Sequence, residues 1–355
     1  MTAETGELPR SHPSPLRLSF DGGALAANWR AMDRLSGKAR TGAAVKADAY
    51  GIGIDRAMPA LWDAGCRDFF VAHWSEVAAV RHYAPSSSIS VLLGPMGDAD
   101  VRFARETGVR LVINSIEQAR RWTAAGGGVC DLMVDTGMNR LGVRPEELGD
   151  PAIAALDIDI VLSHLACADE ESALNDRQRS IFASLLPQLQ HRRASLANSA
   201  GIALGAGYHF DLTRPGLALY GGVPRGELAQ DLQQVIAPEA AIVQIRTLPA
   251  GESIGYGASF TAASDMRVAI LSLGYADGYL RCWSGKGEFT ATDGAVLPVL
   301  GRVSMDLTAV DITAAPHLRE GDWLRAGYDL PAAAEMSGLS QYELLTLAGP
   351  RLRAG

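Results

Sequence analysis

A lysine closes a short apolar run in Ala44-Val45-Lys46-Ala47-Asp48-Ala49-Tyr50-Gly51-Ile52-Gly53. An ammonium buried beside such a run loses hydration, and its pKa falls. Desolvation of this kind makes an amine nucleophilic enough to form a Schiff base with a carbonyl. Four residues on, Tyr50 offers a hydroxyl, and Gly51 and Gly53 expose backbone, the parts expected around a phosphate. Read alone, Lys46 is also compatible with a strand-end side chain that snorkels to water.

Other residue types along the chain suit the same chemistry, and each has a plainer reading. Arg140, in Asp135-Thr136-Gly137-Met138-Asn139-Arg140-Leu141-Gly142, is a surface arginine or a planar fork aimed at a carboxylate. His164, in Ser163-His164-Leu165-Ala166, is a core histidine or a ring lying flat on an aromatic cofactor. Asn198-Ser199-Ala200-Gly201 is a turn or a short-side-chain phosphate cradle. Arg214, in Thr213-Arg214-Pro215-Gly216-Leu217, pairs with Asp211 or faces a site, and Gly216 permits close backbone approach. Tyr275, in Gly274-Tyr275-Ala276-Asp277-Gly278, reads alone as a strand-end residue before a turn. Met305, beside Asp306, reads as core, and Tyr342 as a helix-face aromatic.

The elements that must position these groups are legible as alternating runs. Strands are expected at Ala43–Val45, Phe69–Ala72, Ile89–Leu93, Leu111–Ile113, Leu132–Val134, Ile158–Leu162, Ala194–Ala197 and Gly216–Tyr220. Eight runs at roughly 30-residue spacing predict a (β/α)8 barrel. Between them, Asp21 caps a helix over Ala24–Leu35 carrying Leu25, Trp29, Met32 and Leu35 at helical spacing. Ser115 with Gln118 makes a capping box, and Gly126 and Gly65 stop their helices. Catalytic groups of such barrels come from the carboxyl ends of the strands. Lys46 lies in the first run, Arg140 after the fifth, His164 after the sixth, Ser199 after the seventh and Arg214 before the eighth, so the unusual residues gather on one rim. After about Ile236 the pattern changes. Asp265–Gly274 and Gly294–Ile312 alternate as strands, predicting a second, mostly β domain.

Composition is that of a soluble globular chain, 48% apolar and 20% charged over 355 residues. A net charge of −8 gives no footing for nucleic acid or anionic membrane. Cys66, Cys130, Cys167 and Cys282 show no CxxC spacing, so neither a metal site nor a disulfide framework is expected, and reduced thiols fit a cytoplasmic location. Met1 to Pro15 reads as a loose tail without a signal-peptide core, and no stretch is long and apolar enough to span a bilayer.

The ordered blocks AVKADAYG, DTGMNRLG, SHLACADE, ANSAG, TRPGLALYG, GYADG and GRVSMD resemble those of the alanine racemase family, over roughly Leu16 to Leu347. The resemblance implies a barrel over residues 16–236 that binds pyridoxal phosphate, a β domain over 237–355, and a head-to-tail homodimer. It implies an isomerase interconverting L- and D-alanine, with Lys46 holding the cofactor and serving as one acid/base. Tyr275, from the other subunit, would serve as the second on the opposite face of the substrate Cα. Tyr50, Ser199, Tyr342 and backbone N–H groups near Gly216 and Leu217 would hold the phosphate. Arg140 and the backbone of Met305 would bind the substrate carboxylate, and His164 would stack on the cofactor and link to Tyr275. Arg214 would face the pyridine nitrogen. Arginine has only donors and a very high pKa, so it does not readily protonate that nitrogen, and the weaker electron sink favours racemisation over transamination or decarboxylation.

One departure stands out. Where the family commonly has a carbamylated lysine that orients the matched arginine, this chain has Met133, so Arg140 needs another partner. A bound chloride or a neutral acceptor such as Asn114 are the options. Ser304 also replaces a common cysteine. Two other readings fit the same barrel: a racemase for serine or a broader set of amino acids, and a cofactor-binding protein without catalysis. The block Gly274–Gly278 argues against the second of these.

Overall fold

A computed structural model describes residues 13–353, which form two units, residues 21–235 and residues 13–20 with 236–353. The expected N-terminal tail lies, up to residue 12, outside the described residues. In the first unit a parallel sheet runs through Ala43–Ala44, Phe69–Val71, Ile89–Val91, Arg110–Ile113, Val129–Met133, Asp157–Leu162 and His191–Ser195, in chain order. The eighth strand is Leu212–Thr213. It pairs in parallel with Arg40–Thr41 at the start of the first strand, and Gly42 N–H to Thr213 O at 2.9 Å continues the closure. The architecture is a (β/α)8 barrel.

The segment Gly216–Tyr220 is therefore not a strand. Leu217–Tyr220 is a helical turn with all four residues buried. A short apolar run looks the same as a buried strand or a buried turn, because periodicity does not separate them. The correction moves Arg214 from before the eighth strand to just after it, onto the same rim as the other groups.

Helix Gly22–Ser36 starts where Asp21 Oδ1 accepts the Ala24 N–H at 2.9 Å. Leu25, Trp29 and Met32 face inward as expected, but Leu35 is exposed. Polar Asn28 is buried instead, donating to Leu219 O and Gln233 O and accepting from Gln233 N–H. Ser115 Oγ caps its helix through Gln118 N–H at 3.2 Å, while Gln118 Oε1 reaches Asn114 N–H at 2.7 Å, one residue beyond a capping box.

Inward-facing residues build the barrel in layers. The lower layer is charged: Arg193 pairs with Asp68 at 2.9 Å and Asp159 at 2.6 Å, and Arg110 approaches Asp131 at 3.5 Å. Above it Phe70, Val112, Met133, Ile160, Leu162 and Leu212 form an apolar cluster. Period-2 alternation puts Asp131 and Met133 on the same face of one strand, the first in the charged layer and the second in the apolar one.

The second unit is antiparallel throughout. Its sheet runs Leu16–Phe20, Ile236–Leu248, Met266–Leu271, Thr308–Asp311, Val296–Leu300, Glu288–Thr290, Trp323–Ala326, and the last strand pairs back on Ile236–Leu248. A register shift between Ile242 and Gln244 lets that 13-residue strand serve partners along both halves. Leu16–Phe20 thus belongs with this β unit although it precedes the barrel in sequence. Among the described residues no helix is long and apolar enough to cross a membrane.

The charged layer gives a stability test. Asp131 is fully buried and accepts from Ser90 Oγ at 2.6 Å and Ile160 N–H at 3.1 Å. Asp131→Ala strips both donors of their acceptor and removes a counter-charge from Arg110, so urea denaturation should show a loss of about 3 kcal/mol. A loss within ~0.5 kcal/mol, ordinary for a surface change, would mean the layer does not hold the barrel together.

Candidate functional site

Val45 N–H bonds Phe70 O at 2.9 Å, the last ladder contact before Lys46. Then Ala47, Asp48, Ala49 and Tyr50 hold φ of 53°, 54°, 53° and 57°. Four L-residues form a turn of left-handed helix, a conformation that costs roughly 1–2 kcal/mol per residue. None of the four is β-branched, which keeps the turn feasible. It is tied down by Gly51 N–H to Ala47 O at 2.8 Å and Ile54 N–H to Asp48 Oδ1 at 2.8 Å. Its first amide, Ala47 N–H, donates to Glu76 Oε1.

Lys46 is half-buried at this strand end. Burial lowers its pKa, the nearby Arg140 charge lowers it further, and Glu76 opposes both. The amine is thereby brought toward its neutral, nucleophilic form.

The turn delivers Tyr50 to the segment that follows the eighth strand, where its ring stacks on Tyr220 at 4.7 Å. Tyr220 Oη donates to Ala44 O at 2.9 Å and so braces the strand that carries Lys46. The Tyr50 hydroxyl lies against Gly216: a Cβ there would come within 2.3 Å of it, which only glycine avoids. Ser199, at the start of helix Ser199–Ala203, accepts the N–H of Gly216 at 2.9 Å and of Ala218 at 3.1 Å. Tyr50, Ser199, Gly216 and Leu217 are thus gathered in one place, with Gly216 N–H directed at Ser199.

Arg214 is buried among neutral acceptors. Nη1 donates to Ser195 Oγ and Nη2 to Ser163 O at 2.7 Å, with the guanidinium 5.8 Å from the centre of the Phe70 ring. Burial lowers its pKa to about 10, opposed by the Asp131 charge, so it stays cationic at neutral pH. His164 follows the sixth strand. Burial, then the charges of Arg214, Arg140 and Lys46, push its pKa down to about 3 and keep the imidazole neutral.

Arg140 sits in a loop shaped by Asp135, whose Oδ1 accepts N–H groups from Gly137, Met138 and Asn139 at 2.9, 2.9 and 3.1 Å. Its guanidinium is exposed and makes no hydrogen bond or ion pair among the described residues. Met133 lies in the apolar cluster. Asn114 donates through Nδ2 to Leu92 O and Val112 O, while its Oδ1 is buried without a partner and makes no bond to Arg140.

These residues fit pyridoxal phosphate: a desolvated amine, hydroxyls with backbone around a glycine against which the Tyr50 hydroxyl closes, and a buried donor-only cation. In the β unit, Tyr275 opens a short helical turn and Ala276 N–H bonds Met305 O at 3.0 Å, so these two are neighbours. Tyr342 is on helix Gln341–Thr346. Sequence reasoning missed Glu76, Ser195 and Ser163. Glu76 follows the second strand, so the rim rule could have found it, whereas two serines that serve Arg214 carry no signal of their own.

The family model described as "Alanine racemase, N-terminal domain" matches residues 20–224, and that described as "Alanine racemase, C-terminal domain" matches 235–354. A protein of Rhizobium meliloti (strain 1021) named "Alanine racemase" is 44% identical over 94% of this chain and 95% of its own length. One of Agrobacterium fabrum named "Alanine racemase, biosynthetic" is 43% identical, covering 95% of this chain and 93% of its own. Among solved structures, alanine racemase from Bartonella henselae with covalently bound pyridoxal phosphate superposes with a TM-score of 0.86 at 33% identity, over 96% of this chain and 99% of that one.

The depressed His164 pKa has a stability consequence. The unfolded chain takes a proton near 6.5, but the folded protein refuses it until about 3. Below 6.5 the unfolded state binds more protons, so stability falls as pH drops through that window, by up to about 1.4 kcal/mol per unit from this one group. Urea midpoints at pH 7.5 and pH 5 should therefore differ less for His164→Asn than for wild type. Equal differences would show that His164 takes its proton normally.

Proposed function

The chain belongs to the alanine racemase family and interconverts L- and D-alanine with pyridoxal phosphate; from that premise we propose a two-base route through Lys46 and Tyr275. The bound cofactor supplies an electron sink for the bond at Cα. Lys46 Nζ moves the α-proton on one face of the substrate, and Tyr275 Oη moves it on the other. Lys46 suits the role because burial and Arg140 lower its pKa, the observation that carries this reading. Arg214 orients the ring nitrogen with donor N–H groups and, cationic up to about pH 10, releases no proton to it in the neutral range. Tyr50, Ser199, Tyr342 and the backbone at Gly216 and Leu217 bind the phosphate. The Arg140 fork and the Met305 backbone bind the substrate carboxylate, and neutral His164 stacks on the cofactor ring.

We further infer that Tyr275 acts across a homodimer. Tyr275 and Met305, neighbours through the Ala276 N–H bond to Met305 O, are 39% and 54% exposed, which suits a surface covered by a second copy. A cytoplasmic location fits four cysteines that form no disulfide.

Two experiments test this. Mixing Lys46→Ala protein with Tyr275→Phe protein should restore part of the activity, because one site of each heterodimer then carries neither lesion. Subunit exchange without recovery would place Tyr275 outside the partner's chemistry. For Arg140, removing bicarbonate should leave turnover unchanged, since Met133 cannot be carbamylated. Loss of activity on bicarbonate removal, reversed by its return, would mean another lysine supplies a carbamate.

A further inference from the structure

Glu76 follows the second barrel strand and is half-buried at its rim. Its Oε2 accepts Ala72 N–H at 2.8 Å and His73 N–H at 2.9 Å. Those two bonds are accounted for by the short helical turn Trp74–Glu76, which the side chain caps from within. The remaining oxygen is not. Oε1 accepts the Ala47 N–H, 29 residues earlier in sequence, on the neighbouring strand's exit. Capping alone gives no reason for that bond.

We propose that Glu76 is the positioning residue for Lys46, its carboxylate fastening the first amide of the left-handed turn to the end of the adjacent strand. The inference rests on Lys46 being the cofactor lysine. Ala47 is the first residue of left-handed backbone, and four residues there sit in a costly conformation. Such a turn persists only where its surroundings over-determine it, and charge-assisted bonds from one carboxylate to two segments do so strongly. The same carboxylate is the negative group that acts on the Lys46 amine, against Arg140, while the facing His164 ring stays neutral. Glu76 therefore sets where Lys46 begins its reach and how readily it keeps a proton.

The test uses holoenzymes of Glu76→Gln and Glu76→Asp, followed by the visible absorbance of the bound cofactor against pH. Glu76→Gln removes the charge, so the spectral midpoint should move down by about one pH unit. Its kcat should fall roughly tenfold or more, with KM for alanine within about twofold. Glu76→Asp keeps the charge but shortens the reach, so its midpoint should stay near wild type while kcat falls. A purely structural role would lower the melting temperature without moving the midpoint, and an unchanged midpoint in Glu76→Gln overturns the proposal. Should Glu76→Gln fail to fold, hydrogen exchange on the wild-type enzyme decides, since a rapidly exchanging Ala47 amide contradicts the fastening. Borohydride labelling of the same samples separates the two readings. Label on a lysine other than Lys46 defeats the site assignment, whereas label on Lys46 with no midpoint shift defeats only the role of Glu76.

Discussion

Positive charge is crowded into the mouth of the barrel with little to balance it. Lys46, Arg140, His164 and Arg214 stand close enough that the cations depress the protonation of their neighbours. Each sits where it does because a barrel strand ends there. The carboxylates that balance charge inside the barrel, Asp68, Asp131 and Asp159, lie in the lower layer, separated from the mouth by apolar side chains. Arg214 feels Asp131 only at long range. The result is a positively charged mouth suited to anions, with Lys46 and His164 both biased toward their neutral forms.

Glu76 is the carboxylate that acts on Lys46, and its placement explains why the crowding there is tolerable. Its charge is largely committed to backbone amides, so it tempers Lys46 without neutralising the mouth. Arg140 shows the complementary arrangement. Its loop is fixed by three bonds to Asp135, yet the fork itself is unclaimed. A rigid loop with an uncommitted guanidinium leaves the full bidentate capacity for an incoming carboxylate.

Much of this was readable beforehand, for identifiable reasons. A lysine closing an apolar strand, glycine-flanked hydroxyls and regularly spaced runs are local features, and the barrel turns local order into spatial proximity. What was unreadable was non-local. Leu16–Phe20 precedes the barrel but pairs with Ile236–Leu248, a choice made by register with a strand more than 200 residues away. Leu212–Thr213 is two residues long, too short for any periodicity, and its neighbour Gly216–Tyr220 imitated a strand because every residue in it is buried. Asn28 broke the apolar stripe of its helix because loop carbonyls came to meet it. Ser195 and Ser163 gained importance only once Arg214 was seen to lean on them.

The left-handed turn after Lys46 also bears on how this sequence can change. Four residues held near φ +55° amount to about 4–8 kcal/mol of conformational penalty, comparable to the whole stability of many domains. Glycine at Ala47 or Ala49 would relieve part of that penalty in the folded state, and mutagenesis guided only by thermal resistance would be drawn to those positions. Glycine would equally loosen the peptide that carries the lysine. With Lys46 in the role proposed above, heat tolerance and turnover are set against each other within a single stretch of five residues, and a more durable variant is better sought on the outer helices than at this turn.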